Sequence, residues 1–209
     1  MKYSGVYPAA VAFAVKGYMK ERYGKAYTKD LLSKSKEQYR EFLLRVPSVG
    51  EPKNPLSLNL YIAAYFGAIY KASEKSLSCS EVADIMAAAL KKVKPFLSLI
   101  NLNTKFGMWF TKTQVREYVN WYHKYGKNYP DTWSYNTKEI PGGIFYELTS
   151  CPIHKMCIAE DILELLPHLC ELDHVMFSYM HGRLIRKNTI AEGGDSCDYN
   201  VYGDKTEVR

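Results

Sequence analysis

The apolar residues of this chain change their spacing near residue 137, and that change limits the folds open to it. Ahead of it the spacing is helical. Val11, Val15, Tyr18 and Arg22 recur at helical intervals in the run from Ala9 to Tyr23, and Gly24 marks a stop. Thr28 is a candidate N-cap for a second helix from Leu31 to Leu44. Three prolines and a glycine between Val46 and Pro55 predict a loop. Leu58 to Ala72 is almost wholly apolar and predicts a core helix. Ser78-Cys-Ser80-Glu81 carries the capping residues for another, from Val82 to Val93, with Pro95 restarting or kinking the run. Thr113 to Lys124 predicts a further helix, and the aromatic, polar stretch from Tyr125 to Thr137 a loop leading into sheet.

Beyond residue 137 the signals are those of strands and turns. Ile144 to Ile153 is rich in β-branched and aromatic residues and is entered through Pro141-Gly-Gly. Ala159 to Met180 reads as helix, with Pro167 at a new first turn or at a kink. Arg183 to Ile190 and Cys197 to Tyr202 read as two strands joined by a Gly193-Gly194-Asp195 turn. The expected fold is therefore α+β: a helical N-terminal half and a small, mainly antiparallel C-terminal sheet in a strand–helix–hairpin block. Residues 1–209 are expected to form a single domain, with 1–136 mainly helical and 137–209 the α/β part.

Charge narrows the partners. The net charge is +6, and residues 1–50 hold all of it, with ten Lys/Arg against four Asp/Glu; residues 51–209 balance at eighteen of each. The lysines are scattered, without an arginine stripe or a recognition-helix motif, so a nucleic-acid partner is not expected. No stretch is long and apolar enough to span a bilayer, and no membrane partner is expected. The apolar run Val6–Val15 continues into a charged helical pattern without a convincing cleavage site, so a leader peptide is not expected either. Five cysteines, an odd number at irregular spacing, favour free thiols and a cytoplasmic setting. The expected partner is a small molecule, with homo-oligomer formation left open.

Four of the five cysteines lie after residue 140. Cys170, Asp173 and His174 stand at i, i+3 and i+4, which puts them on one face of a helix. Cys151 ends a strand, and Cys197 follows the hairpin turn. On the strand from Arg183, Arg186 and Asn188 share one face, with Thr189 on the other. Three readings stay open. A cysteine acts as nucleophile, or works with Asp173 as acid and base on a C=N or C=O bond. Alternatively, Cys151, Cys170, Cys197 and Asp173 hold zinc, although no pair has zinc-finger spacing. In the third, the cysteines are small core residues and Asp173 bonds the hairpin; composition and spacing alone favour this one. No cofactor is expected, with zinc the exception left open.

Three motifs go further together: Cys151-Pro-Ile, then Leu169-Cys170-x-x-Asp173, then Arg186-x-x-Thr189-x-x-x-Gly193-Gly194-Asp195-x-Cys197-Asp198-Tyr199. This set resembles the C-terminal signature of the L-2-amino-thiazoline-4-carboxylic acid hydrolase family, whose pattern typically ends in Cys-Asp-Phe; Tyr199 stands where Phe is usual. The likeness is strong over residues 140–203. It is weaker over 10–95, around Arg45-Val-Pro47-Ser-Val-Gly50 and Asn59–Tyr70, and no likeness is evident between them. The resemblance implies a hydrolase acting on a cyclic amidine. Water would add at C2 of L-2-amino-Δ2-thiazoline-4-carboxylate to give N-carbamoyl-L-cysteine, on a route of cysteine biosynthesis. It implies catalytic roles among Asp173, Cys170, Cys151, Cys197 and His174, and substrate binding by Arg186 and Thr189. The block is also similar to vinyl-reductase-type small-molecule-sensing domains, some of which hold zinc, so a non-catalytic binding or sensor function is the alternative.

Overall fold

The computed structural model describes residues 1–207. Helix α1 (Val6–Tyr23) turns Pro8, Val11, Val15 and Met19 inward, a stripe that repeats every three to four residues. Gly24, at φ 83°, ends α1 and opens α2 (Lys25–Arg45) in a single residue; a left-handed backbone there suits glycine. Thr28 therefore lies inside α2 and does not cap it. Its hydroxyl instead donates to the Gly24 carbonyl at 2.8 Å. Helix α3 (Ser57–Ala72) is buried on most of its circumference and is packed by α1, α2 and α4 (Cys79–Leu97). Ser78 and Glu81 form the expected capping box of α4, which runs through Pro95 to Leu97. Helix α5 (Lys105–Tyr125) starts eight residues earlier than its apolar spacing indicates, because the Thr104 hydroxyl caps it by accepting the Gly107 N–H.

The C-terminal block is a four-stranded sheet in the order β1-β2-β4-β3, with every pair antiparallel. Its strands are β1 (Ser134–Lys138), β2 (Gly143–Ser150), β3 (Gly182–Ile185) and β4 (Cys197–Gly203). The stretch expected as loop up to Thr137 thus contributes an edge strand, with a register irregularity at Ser134/Tyr135. The hairpin strand is also shorter than its alternation indicates. It stops at Ile185 because the buried Asp198 carboxylate accepts the Lys187 and Asn188 N–H groups at 2.9 and 2.7 Å and draws that backbone out of the ladder.

The helix expected over 159–180 starts only at Leu166, as α7 (Leu166–Tyr179); a separate helix, α6 (Pro152–Ala159), forms ahead of it, where Pro152 and Ile153 were expected to end a strand that stops at Ser150. Asp161, at φ 54°, turns the chain between them, and Pro152 and Pro167 each sit in a first turn, where a missing N–H breaks no helical bond. No described helix is long and apolar enough to cross a membrane.

Two contacts tie the block to the helices. At Gly67 of α3, an added Cβ would lie 2.8 Å from Ile162 and 3.3 Å from Phe42, so the missing side chain sets how closely the chain after α6 approaches α3. Beside it, buried Glu160 accepts from Arg45 Nε at 2.8 Å and Nη2 at 2.6 Å, and its carbonyl accepts from Lys71. This bidentate ion pair joins the end of α2 to the end of α6.

Candidate functional site

One face of the sheet is turned towards α5 and α7. Strand alternation and register assign it Ile144, Tyr146, Leu148 and Ser150 of β2, Tyr135 of β1, Leu184 of β3, and Cys197, Tyr199 and Val201 of β4. Continuing the alternation past β3 puts Arg186 on the same side. The face is apolar at one end and carries hydroxyls, a thiol and a guanidinium towards the other.

Asp173 is the centre of the polar part. Arg186 Nη2 donates to Asp173 Oδ2 at 2.7 Å, and the Tyr199 hydroxyl donates to the same oxygen at 2.8 Å. Arg186 Nη1 donates to the Cys170 carbonyl at 3.4 Å, one turn back along α7. The guanidinium lies 4.3 Å from the centre of the Tyr199 ring, which stacks on Tyr146 at 4.3 Å and 15°. Arg186 is therefore clamped from two sides: its side chain is 3% exposed, whereas that of Asp173 is 32% exposed. Asp173 Oδ1 makes no hydrogen bond among the described residues. Three buried polar atoms of this face also lack partners: Arg186 Nε, Tyr135 Oη and Ser150 Oγ. A buried donor without a partner costs about 1–3 kcal/mol, so such groups mark places where a ligand or water is accommodated.

The electrostatics follow from this burial. Loss of water works to lower the Arg186 pKa, but Tyr199 and Asp173 outweigh it and the guanidinium is held charged more firmly than usual. Burial, then the Asp173 charge, pushes the Tyr146 and Tyr199 hydroxyls well up. Burial also pushes up the thiols. Cys151 is raised to about 11, although the amides of Ile153 and His154 at the start of α6 pull the other way. Cys170 is raised by burial and by Asp173, and Cys197 by burial, opposed by the Ile190 N–H that its sulfur accepts at 3.2 Å. At neutral pH these side chains are thiols, which are poor nucleophiles and poor ligands.

The expected site residues thus divide. Cys151, Cys170 and Cys197 share one interior neighbourhood, in which each thiol feels the Asp173 charge and at least one other thiol or Arg186. Cys79 is elsewhere, at the start of α4, and Cys157 is a core residue of α6. His174 is half-buried and makes no hydrogen bond among the described residues. Thr189 is engaged locally: its hydroxyl accepts the Glu192 N–H at 3.1 Å and caps a short 3-10 turn (Ile190–Glu192). Gly193, at φ 87°, and Gly194, whose N–H reaches the Thr189 carbonyl at 2.9 Å, close that turn. The Thr-x-x-x-Gly-Gly spacing therefore builds the loop behind Arg186. Asp198, and not Asp173, holds the hairpin backbone.

Among the described residues no three His, Cys, Asp or Glu side chains are grouped so as to hold a metal ion. The zinc set considered from the sequence does not fit, because Asp173 Oδ2 is held by Arg186 and Tyr199 and the Cys197 sulfur by an N–H.

Tyr146, Tyr135 and Ser150 escaped the motif reading. The signal for them is the alternation of β2 and its register with β1, which needs the pairing to be known.

Comparison with known proteins gives a family and little else. No curated protein matches the chain. Two solved structures match weakly, both H-NOX proteins from K. algicida in the Fe(II) unliganded form. The first is 12% identical with a TM-score of 0.36, covering 99% of this chain and 100% of that one. The second, a single-residue mutant, is 13% identical with a TM-score of 0.31, covering 92% and 95%. Such scores are too low to indicate a shared fold. A family model, described as L-2-amino-thiazoline-4-carboxylic acid hydrolase, matches residues 59–201, more than half of the chain. Its range takes in residues 96–139, where no likeness was evident, and leaves out the Arg45–Gly50 segment. The chain belongs to the L-2-amino-thiazoline-4-carboxylic acid hydrolase family.

Proposed function

We propose that the protein is a hydrolase that opens a cyclic amidine-like ring across its C=N and C–S bonds. Its substrate is L-2-amino-thiazoline-4-carboxylate and its product N-carbamoyl-L-cysteine, a precursor of cysteine. The observation that carries this reading is the state of Asp173: one oxygen fixed by Arg186 and Tyr199, the other unpartnered, on a side chain a third exposed. A carboxylate held on one side and open on the other is suited to moving protons.

In the step proposed, Asp173 Oδ1 takes a proton from water as the water oxygen bonds to C2, and delivers that proton to the ring nitrogen. C2 then carries a hydroxyl, two nitrogens and the ring sulfur. The hydroxyl proton passes by way of Asp173 to sulfur as the C–S bond breaks and the C=O forms, so one water is consumed overall. Water is the nucleophile because the nearby thiols are kept protonated. Arg186 orients Asp173 through Nη2 and meets the substrate carboxylate through the unpartnered Nε. Cys170, Cys151 and Cys197 line the site, and His174 and Thr189 take no part in the step.

One observation favours a non-catalytic small-molecule-binding function instead: thiols kept protonated by burial, beside unpartnered buried polar atoms, suit a ligand that is held and not attacked. Incubating the pure protein with the thiazoline separates the two. Thiol release that tracks protein concentration supports the hydrolase. A thermal shift without thiol release supports the binding module, and zinc found by metal analysis of the same sample would overturn the conclusion that these residues do not fit a metal.

A further inference from the structure

The summed charge of residues 51–209 is zero, but its distribution is not even. Between Asp84 and Glu117 the chain carries no acidic residue and six basic ones: Lys91, Lys92, Lys94, Lys105, Lys112 and Arg116. The fold places this run at one corner, where the end of α4 turns into the start of α5. At that corner Phe96 is 72% exposed, Leu99 78%, Phe106 66% and Trp109 60%. Phe106 packs on Trp109 and Phe110 at ring distances of 5.9 and 6.3 Å, so these rings form a cluster. The other strongly exposed apolar residues, Val6, Phe13 and Leu44, sit on α1 and α2, which carry acids as well.

The corner is fixed in place. The Leu102 N–H donates to the Met180 carbonyl at 3.0 Å, Asn103 Nδ2 donates to the His181 carbonyl at 3.1 Å, and Gly107 packs so tightly on the Asn101 backbone that a Cβ would overlap it. Lys91, Lys92, Lys94 and Lys105 are exposed around it. Of the acids contributed by neighbouring elements, Glu139 pairs with Lys112 at 3.4 Å and Asp204 accepts from Asn103 at 2.8 Å.

We propose that this corner docks the protein on an anionic phospholipid surface. Rings and aliphatic groups that are mostly exposed stand out from the protein and do not line a groove, which suits insertion between headgroups. Tryptophan and phenylalanine bury there while flanking lysines keep their ammonium groups at the phosphates. Charge complementarity selects anionic lipid over a neutral one. Docking of this kind is peripheral and needs no membrane-spanning helix.

Co-sedimentation with vesicles tests it, using phosphatidylcholine alone and phosphatidylcholine mixed with phosphatidylglycerol. Binding is expected to the mixed vesicles, weak or absent on the neutral ones, and lost as salt rises from about 0.1 M to about 1 M, where screening shortens from about 10 Å to about 3 Å. Lys91→Glu with Lys92→Glu should lower partitioning by about fivefold or more for each lysine removed. Phe96→Ser with Trp109→Ser should release the protein as well. All four positions are exposed, and circular dichroism checks that the variants fold. No binding to the mixed vesicles, equal binding to both kinds, or binding unchanged in the variants overturns the proposal. So does a stable dimer in light scattering that the Phe96/Trp109 variant dissociates, which would assign the face to a second copy of the chain.

Discussion

The Tyr199 hydroxyl and the Arg186 guanidinium converge on one oxygen of Asp173, at 2.8 and 2.7 Å, while the Tyr199 ring also supports the guanidinium from beneath. A phenylalanine at this position would keep the ring contact and lose the hydrogen bond. Tyrosine here therefore gives the central carboxylate a donor that phenylalanine would not supply.

Tyr199→Phe should accordingly be mild. A hydrogen bond to a charged group is worth about 1.5–3 kcal/mol, and the low end applies because water reaches Asp173. Urea unfolding should show a small loss, and kcat/KM on the thiazoline should fall by less than about tenfold. A collapse of turnover as deep as that of an Asp173 variant would mean that the hydroxyl itself takes part in the reaction.

Asp173→Asn should lose about 10²-fold or more in turnover, the usual size of a general acid–base contribution, with the fold intact. The amide oxygen can still accept from Arg186 and Tyr199, so the geometry is preserved while the proton transfer is not. Wild-type thiol release from a folded Asp173→Asn protein would remove the residue from the mechanism and favour the binding function.

Stability should fall above pH 9. Unfolded, a cysteine loses its proton near its ordinary value of 9.0, whereas folded Cys151 keeps it to about 11. Between those values the unfolded state binds fewer protons, so rising pH favours unfolding; below pH 9 the contribution is complete and flat. The loss from Cys151 is on the order of 2 kcal/mol. Denaturation midpoints measured across this window should slope downward, and Cys151→Ala should flatten part of the slope.

Arg45→Ala should destabilise the fold and leave the chemistry alone. It strands the buried Glu160 carboxylate with Lys71 as its remaining cation, at 3.8 Å. Breaking a fully buried pair costs about 3–5 kcal/mol, but Arg45 is about half exposed, so roughly 1–2 kcal/mol is expected. A variant with an unchanged urea midpoint would show that water replaces the guanidinium.

Features set by short-range chemistry were legible in the sequence. The Ser78–Glu81 box, the Gly24 stop and the apolar α3 each depend on residues a few positions apart. Features set by distant partners were not. Arg183–Ile190 alternates like a strand, but Asp198 takes the Lys187 and Asn188 amides and ends β3 early. The five-residue β1 hides within an aromatic, polar stretch and exists because β2 pairs with it. Of the candidate site, Cys170, Asp173 and Arg186 could be named from spacing and resemblance. Tyr146 could not, because its place depends on the register between β2 and β4. The corner near Trp109 was masked by a charge total that averaged its lysines against acids elsewhere in the chain.

The sheet closes itself to growth on both sides. At one edge, β1 is five residues long, irregular at Ser134/Tyr135, and exposes Asn136, Thr137 and Lys138. At the other, β3 is four residues long, and Arg183 on it reaches across to the Thr206 carbonyl at 2.9 Å. Short, bent or charged borders of this kind resist the addition of a foreign strand. A protein that keeps a buried guanidinium and a thiol on its inner sheet face is thereby protected from aggregating through that sheet, and any assembly it enters is left to its helical surfaces.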